Sequence, residues 1–214
     1  MQHLQNSILS FWLGTVRKGN YSKDSISQAS KLWFGIGRSK EETATLDQYL
    51  TENFKLQVDE FKTYQDLCKE PEGLLAFCIL GDQFTRNIYR GQSKAFINDS
   101  HVLQQVKLKL DDNFHQTIHP IERQFMFLPL MHSEDYQDHL LAKRYYEETI
   151  EDSNKNFEVY IKQNVEFGLR YLKSHTDIIE RFGRYPHRNL MLNRENTKEE
   201  EMYLNSKEFN SFGQ

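Results

Sequence analysis

The chain has little of what many ligand-binding scaffolds rely on. Of 214 residues only 10 are Gly and 4 are Pro. That scarcity argues against a turn-dense all-β fold and against a Gly-rich nucleotide-binding fold. Cysteine is scarce too. Cys68 and Cys78 sit ten residues apart in apolar surroundings. They read as reduced, buried thiols of a cytosolic protein, a disulfide or a metal pair being the alternatives. No run of about 18 apolar residues exists, so no helix is expected to span a membrane. Met1 to Ser10 lacks a basic stretch and a long apolar one, so a secretory signal is not expected and the chain reads as cytoplasmic. An excess of basic charge is also missing. The 27 Lys and Arg against 31 Asp and Glu give a net charge of −4, which leaves no global footprint for nucleic acid.

What is present is aromatic. The chain holds 15 Phe, 11 Tyr and 2 Trp, although its mean hydropathy is −0.75. A disordered chain is poor in such rings. Each ring removes about 150–250 Å² from water on burial, so a sizeable core needs few aliphatics. The length suits one domain, and residues 1–214 read as a single all-helical domain.

The pattern along the chain is helical throughout, with about nine helices in antiparallel hairpins. Ile8, Phe11 and Trp12 mark a short first helix. Ser39-Lys40-Glu41-Glu42 is a capping box. It opens a helix with Leu46, Leu50 and Phe54 on one face, continued at spacings of 3 and 4 by Val58, Phe61, Tyr64 and Leu67. Pro71 suits the first turn of the next helix, whose Leu74 to Leu80 are apolar most of the way round and therefore central. Ser93 is expected to cap a helix carrying Val102, Val106 and Leu110. Pro120 opens a short aromatic helix that Pro129 ends. Ser133, Glu134 and Asp135 place acids at a helix N-terminus. Ser153 starts another helix, Ile178 to Phe182 form a further turn closed by Gly183, and Thr197-Lys198-Glu199-Glu200 is a second capping box. No strand longer than four residues shows period-2 alternation.

Three polar clusters carry the candidate chemistry. In the first, Asp82 and Arg86 are spaced i, i+4 and can pair, with Arg90 near the same face. A carboxylate that orients two guanidiniums suits recognition of a phosphate or carboxylate, or else a salt bridge that only fixes the helix end. In the second, Glu122-Arg123 precedes Leu128 to Asp135. His132, Asp135 and His139 fall at i, i+3 and i+7, a face that suits a packing role, a divalent metal or a His–carboxylate acid/base pair. The third, His175 to Asn189, holds Arg181, Arg184, His187 and Arg188, followed by Arg194. Pro186 breaks the helix there, so the Arg-rich loop either packs or binds. No phosphate-binding glycine loop, nucleophile elbow or His-Glu-x-x-His pair occurs, so no cofactor and no metal are expected.

These clusters also carry a resemblance. Phe11-Trp12-Leu13-Gly14, Leu32-Trp33-Phe34-Gly35, Asp82-Gln83-Phe84-Thr85-Arg86-Asn87, Leu128-Pro129-Leu130-Met131-His132-Ser133-Glu134-Asp135, Arg181-Phe182-Gly183-Arg184-Tyr185-Pro186-His187-Arg188-Asn189 and Arg194-Glu195-Asn196 are similar to the motifs of the bacterial domain of unknown function 924. The resemblance spans essentially the whole chain. It departs at Gly81, where a Leu is usual, at Thr85 in place of Pro, at Leu67 in place of Trp, and at His139 in place of Gln. The family implies an irregular helical stack like that of tetratricopeptide repeats, and no activity. Carried over residue by residue, it points to one polar site of Asp82, Arg86, Arg90, His132, Glu134, Asp135, Arg181, Arg184, His187, Arg188 and Arg194. Arg123 belongs to the candidate ligand set as well.

Two functions fit. The first is a groove in which Asp82, Arg86, Arg90, Arg123, Arg181, Arg184, Arg188 and Arg194 bind an anionic small molecule or peptide. The second is a hydrolase or transferase acting on a phosphorylated or carboxylated substrate. There His132 or His187 serves as acid/base, oriented by Glu134 or Asp135, with arginines stabilising developing charge.

Overall fold

Residues 1–209 are described by the computed structural model, and their regular elements are all helical. α1 (Gln2–Leu13) turns Ile8, Leu9, Trp12 and Leu13 inward. α2 (Lys23–Phe34) starts at Ser22, whose hydroxyl accepts from the Ser25 amide. α3 (Lys40–Asp59) opens with both bonds of the capping box expected at Ser39. Ser39 Oγ accepts from the Glu42 amide at 3.1 Å, and Glu42 Oε2 accepts from the Ser39 amide at 2.7 Å. α4 (Pro71–Cys78) passes through a π turn, Ile79–Phe84, into the single turn of α5 (Thr85–Ile88). α6 (Asp99–Asp111), α7 (Pro120–Met131), α8 (Tyr136–Asn156), α9 (Val159–Phe182) and α10 (Lys198–Leu204) complete the chain. α10 carries the second capping box, at Thr197.

The core is organised around α7. All of its residues are buried, and it packs against α4, α6, α8 and α9. α8 and α9 fold back on each other across Phe157 and Glu158. Rings supply much of the packing. Trp12 meets Phe84 and Phe125 edge-on at 5.4 and 6.2 Å between centroids. Trp33 meets Phe125 at 5.1 Å, and its indole N–H donates to the Trp12 carbonyl at 2.6 Å. Cys68 and Cys78 are buried free thiols. Among the described residues no helix is long and apolar enough to cross a membrane.

Several boundaries differ from the sequence expectation, each for a local reason. Phe61–Lys69 forms 3-10 turns rather than prolonging α3. Ser93 opens only a 3-10 turn, and α6 begins at Asp99. Pro129 lies inside the last turn of α7 rather than ending it, and its missing N–H costs that helix one bond. Asp135, not Ser133, caps α8 by accepting from the Gln137 amide at 2.9 Å. Ser153 does not start a helix. It is buried within α8 and donates back to the Thr149 carbonyl at 2.7 Å. Ile178 to Phe182 are the last turn of the long α9, which Gly183 closes at φ 67.

Candidate functional site

The π turn is where the site begins. A π turn inserts one extra residue into a helix and redirects the side chains that follow. Here it needs Gly81. A Cβ there would lie 2.2 Å from the Phe61 ring and 2.5 Å from a Val102 methyl. The Thr85 hydroxyl donates to the Leu80 carbonyl at 3.2 Å and accepts from Asn98 Nδ2 at 3.2 Å, tying the turn to the residue just before α6.

Asp82 leaves this turn into a buried network. Its Oδ1 accepts from Arg86 Nε and Nη2 at 3.2 and 3.1 Å and meets His132 Nδ1 at 2.7 Å. Its Oδ2 accepts from the Gln83 amide at 2.6 Å. Burial disfavours the Asp82 charge, but His132 and Arg86 outweigh burial and hold the carboxyl well below the usual range. Burial pulls the His132 pKa down, helped by Arg86 and Arg188 and opposed by Asp82. With Asp82 ionised and His132 neutral, the Nδ1 proton belongs on the Asp82 side and the Nε2 lone pair is exposed. Among the described residues Nε2 makes no hydrogen bond.

Arg86 also donates to Asp99 Oδ2 at 2.8 Å, while its Nη1 is buried with no acceptor among the described residues. Arg90 lies past the end of α5 and reaches α3. It donates to Asp47 at 2.7 and 3.1 Å and to Asn87 Oδ1 at 2.7 Å. Opposite stands Arg38, which donates to the Leu32 carbonyl at 3.1 Å and to Thr43 Oγ1 at 3.2 Å. Burial lowers the Arg38 pKa, and the Arg90 charge lowers it further.

Arg38, Arg86, Arg90 and His132 line one cavity of about 260 Å³, walled by the rings of Trp33, Phe34, Phe96 and Tyr171 and closed by Met191. The guanidinium of Arg86 lies over the Phe96 ring at 5.3 Å, so the wall is aromatic and cationic at once.

The other sequence candidates stand elsewhere. Arg188 is buried behind the cavity, between the Phe96 and Tyr185 rings at 4.8 and 4.3 Å, and donates to the His132 carbonyl at 2.9 Å. Burial and Arg86 lower its pKa to about 10. Glu134 does not orient His132. It accepts from Arg194 at 2.8 and 3.0 Å and from the Tyr185 amide at 2.9 Å, and so locks the Arg-rich loop. Asp135 is spent on capping α8. Arg184 pairs with Glu200 at 2.6 Å and exposed Arg181 with Glu199 at 2.8 Å, both fastening α10. Arg123 donates to Asp152 at 2.6 Å and to the Ile118 and Gln116 carbonyls. The His187 ring lies tilted at 44° to that of Tyr185, 5.4 Å between centroids, within the same packed loop. The loop therefore packs, because Glu134, Glu199, Glu200 and backbone carbonyls take up its arginines.

His132, Asp135 and His139 do not share a helix face. α8 starts only at Tyr136, and His139 binds Thr176 Oγ1 and the Ser133 carbonyl. No group of three or more potential metal ligands converges among the described residues.

Sequence reasoning missed Arg38, Asp47, Thr43 and Tyr171. Arg38 had a signal, since it sits between the Trp33-Phe34-Gly35 motif and the Ser39 capping box. Asp47 and Tyr171 had none, because nothing in their spacing ties them to Arg90 or His132.

The chain is similar over nearly its whole length to known proteins. A solved structure of a protein of unknown function, ATU0120, from Agrobacterium tumefaciens superposes with a TM-score of 0.68 at 26% identity, covering 95% of this chain and 98% of that one. No curated protein matches it. Residues 8–208 match the family model described as bacterial protein of unknown function, DUF924. The chain belongs to that family.

Proposed function

We propose that the cavity between α2, α3, α5 and α7 binds an anionic small molecule. The observation that carries this reading is the convergence of Arg38, Arg86 and Arg90 on one cavity. Burial first and the Arg90 charge second lower the Arg38 pKa, and an anion among the guanidiniums offsets that repulsion. Arg86 and Arg90 are pre-oriented by Asp82, Asp99 and Asp47, so little side-chain freedom is lost on binding. The aromatic walls lower the local dielectric and strengthen the charge contacts a ligand makes there.

Thermal shift with a panel of small carboxylates and phosphates tests this. A ligand at a hundred times its Kd adds about 2.7 kcal/mol, and a chain of this size gains roughly 2–4 °C per kcal/mol. Arg38→Leu removes a cation that forms no salt bridge among the described residues, so the fold should survive and the shift should vanish. No shift in the wild type, or a shift that survives Arg38→Leu, overturns the reading.

One specific observation favours a second reading, a hydrolase or transferase working on the bound anion. The Asp82–His132 pair, at 2.7 Å, leaves a neutral imidazole on the cavity wall. A carboxylate that fixes one ring nitrogen makes the other a positioned base for activating water or a hydroxyl. Arg86 then stabilises charge that develops on the attacked group. A screen of phosphate and carboxylate esters should find turnover that His132→Gln removes while the thermal shift stays. Turnover unchanged by His132→Gln overturns this role.

A further inference from the structure

A second hollow adjoins the cationic one. It has a volume of about 370 Å³ and lies between α2, α7, α8 and α9. Its walls are mostly apolar, and three of them, Phe34, Leu128 and Tyr171, also wall the cationic cavity. Large apolar side chains stand unusually open there. Phe34 is 42% exposed, Ile36 57% and Phe167 49%. Isolated exposed rings need no explanation, but three around one hollow mark a binding surface.

From this continuity we infer that the ligand is an amphipathic monocarboxylate, with its carboxylate among Arg38, Arg86 and Arg90 and its hydrocarbon tail in the neighbouring hollow. The inference rests on the anion-binding reading and names its ligand class. The charge count selects the head group. Arg38, Arg86, Arg90 and, behind the cavity, Arg188 stand against Asp47, Asp82 and Asp99, four cations to three carboxylates. The one positive charge left over matches one negative charge, which a carboxylate carries and a phosphate dianion exceeds. The wall composition selects the tail. Phe34, Leu128 and Tyr171 line both hollows, so a chain leaving the carboxylate meets apolar side chains on its way to the second hollow. Burying a methylene against such a wall is worth about 0.8 kcal/mol, close to fourfold in affinity.

Calorimetry on the full chain with butanoate, hexanoate, octanoate and decanoate tests this. The expected result is a Kd that falls by up to about fourfold per methylene until the hollow is filled. Ser30→Trp fills the hollow, and Phe167→Asp places a charge on its open edge. Phe167 is exposed, so that second variant keeps its fold if the first does not. Both should flatten the chain-length dependence and leave butanoate binding unchanged. Each of the following results overturns the inference. If butanoate binds and longer chains bind no tighter, the tail site is wrong and the anion site stands. If no alkanoate binds but small phosphates do, or octyl phosphate outcompetes octanoate, the head assignment is wrong. If the chain-length slope survives both variants, the tail lies elsewhere. If wild type self-associates and Phe167→Asp makes it monomeric, the hollow serves a second copy of the chain. Failure of every anion, short or long, removes the anion-binding reading as well.

Discussion

Asp82 and Asp47 each hold a cavity arginine, and burial separates their energetic roles. The Asp82 carboxylate is 3% exposed and serves Arg86, His132 and Gln83 together. Asp47 is 22% exposed and pairs with Arg90. Breaking a buried pair leaves an uncompensated charge and costs about 3–5 kcal/mol, whereas a half-exposed pair is worth about 1 kcal/mol or less. Asp82→Asn should therefore lower the denaturant midpoint severely, and Asp47→Asn only slightly. Chemical denaturation of both variants checks this, and equal losses would refute the burial argument. The same pair shows what the sequence made legible. The i, i+4 spacing of Asp82 and Arg86 is visible in the chain, and the two residues pair. The partner of His132 is not visible. Glu134 and Asp135 are its neighbours in sequence, yet a helix end intervenes and the carboxylate that reaches it lies fifty residues away. Local spacing reports which side chains share a face. It does not report which of several carboxylates tertiary packing will deliver.

At the scale of elements, the π turn at Ile79–Phe84 sets the direction of Asp82 and Arg86, and its geometry depends on Gly81. The Phe61 ring that occupies the space beside Gly81 is itself packed on Phe77 at 4.2 Å, so it has little room to yield. Gly81→Ala should destabilise by about 1–3 kcal/mol through overpacking. It should also weaken any anion binding, because the turn must shift to admit the methyl group. Measured together, the denaturation midpoint and the ligand-induced thermal shift test whether the turn positions the site. A stability loss with binding intact would show that it does not. Capping boxes at Ser39 and Thr197, Pro71 in a first turn and Gly183 after a helix were legible because caps are local chemistry. The π turn was not legible, because its signal is a missing side chain whose reason lies on α6 and in the Phe61 segment. Ser153 was misleading because a serine bonds either forward, as a cap, or back to a carbonyl inside a helix, and this one bonds back to Thr149.

Across the whole molecule the rings that compensate for low mean hydropathy also bury histidines. His115 is 1% exposed, with edge contacts to Phe127 and Tyr145 at 6.0 and 4.9 Å. Burial lowers its pKa to about 4, and Arg123 and Arg144 add to the effect. Burial likewise lowers His119 to about 4, and pulls His132, His139 and His175 below the ordinary value. In the unfolded chain these imidazoles take up protons near pH 6.5. Between there and about pH 4 the unfolded state binds protons that His115 and His119 in the folded state refuse, so stability must fall as pH falls through that window. At about 1.4 kcal/mol per unit, His115 alone contributes on the order of 3 kcal/mol to that loss. Glu200, held at about 2 by Arg184, adds a further loss only below its ordinary carboxylate range. Glu122 works in the opposite direction, since burial raises its pKa. The denaturation midpoint should therefore decline steadily from about pH 6.5, well above the range where carboxylates alone would act. His115→Phe should flatten the decline, because it keeps a ring against Phe127 and Tyr145 and removes the group that must not charge. A midpoint that stays level down to about pH 5 and then collapses would assign acid sensitivity to the carboxylates instead.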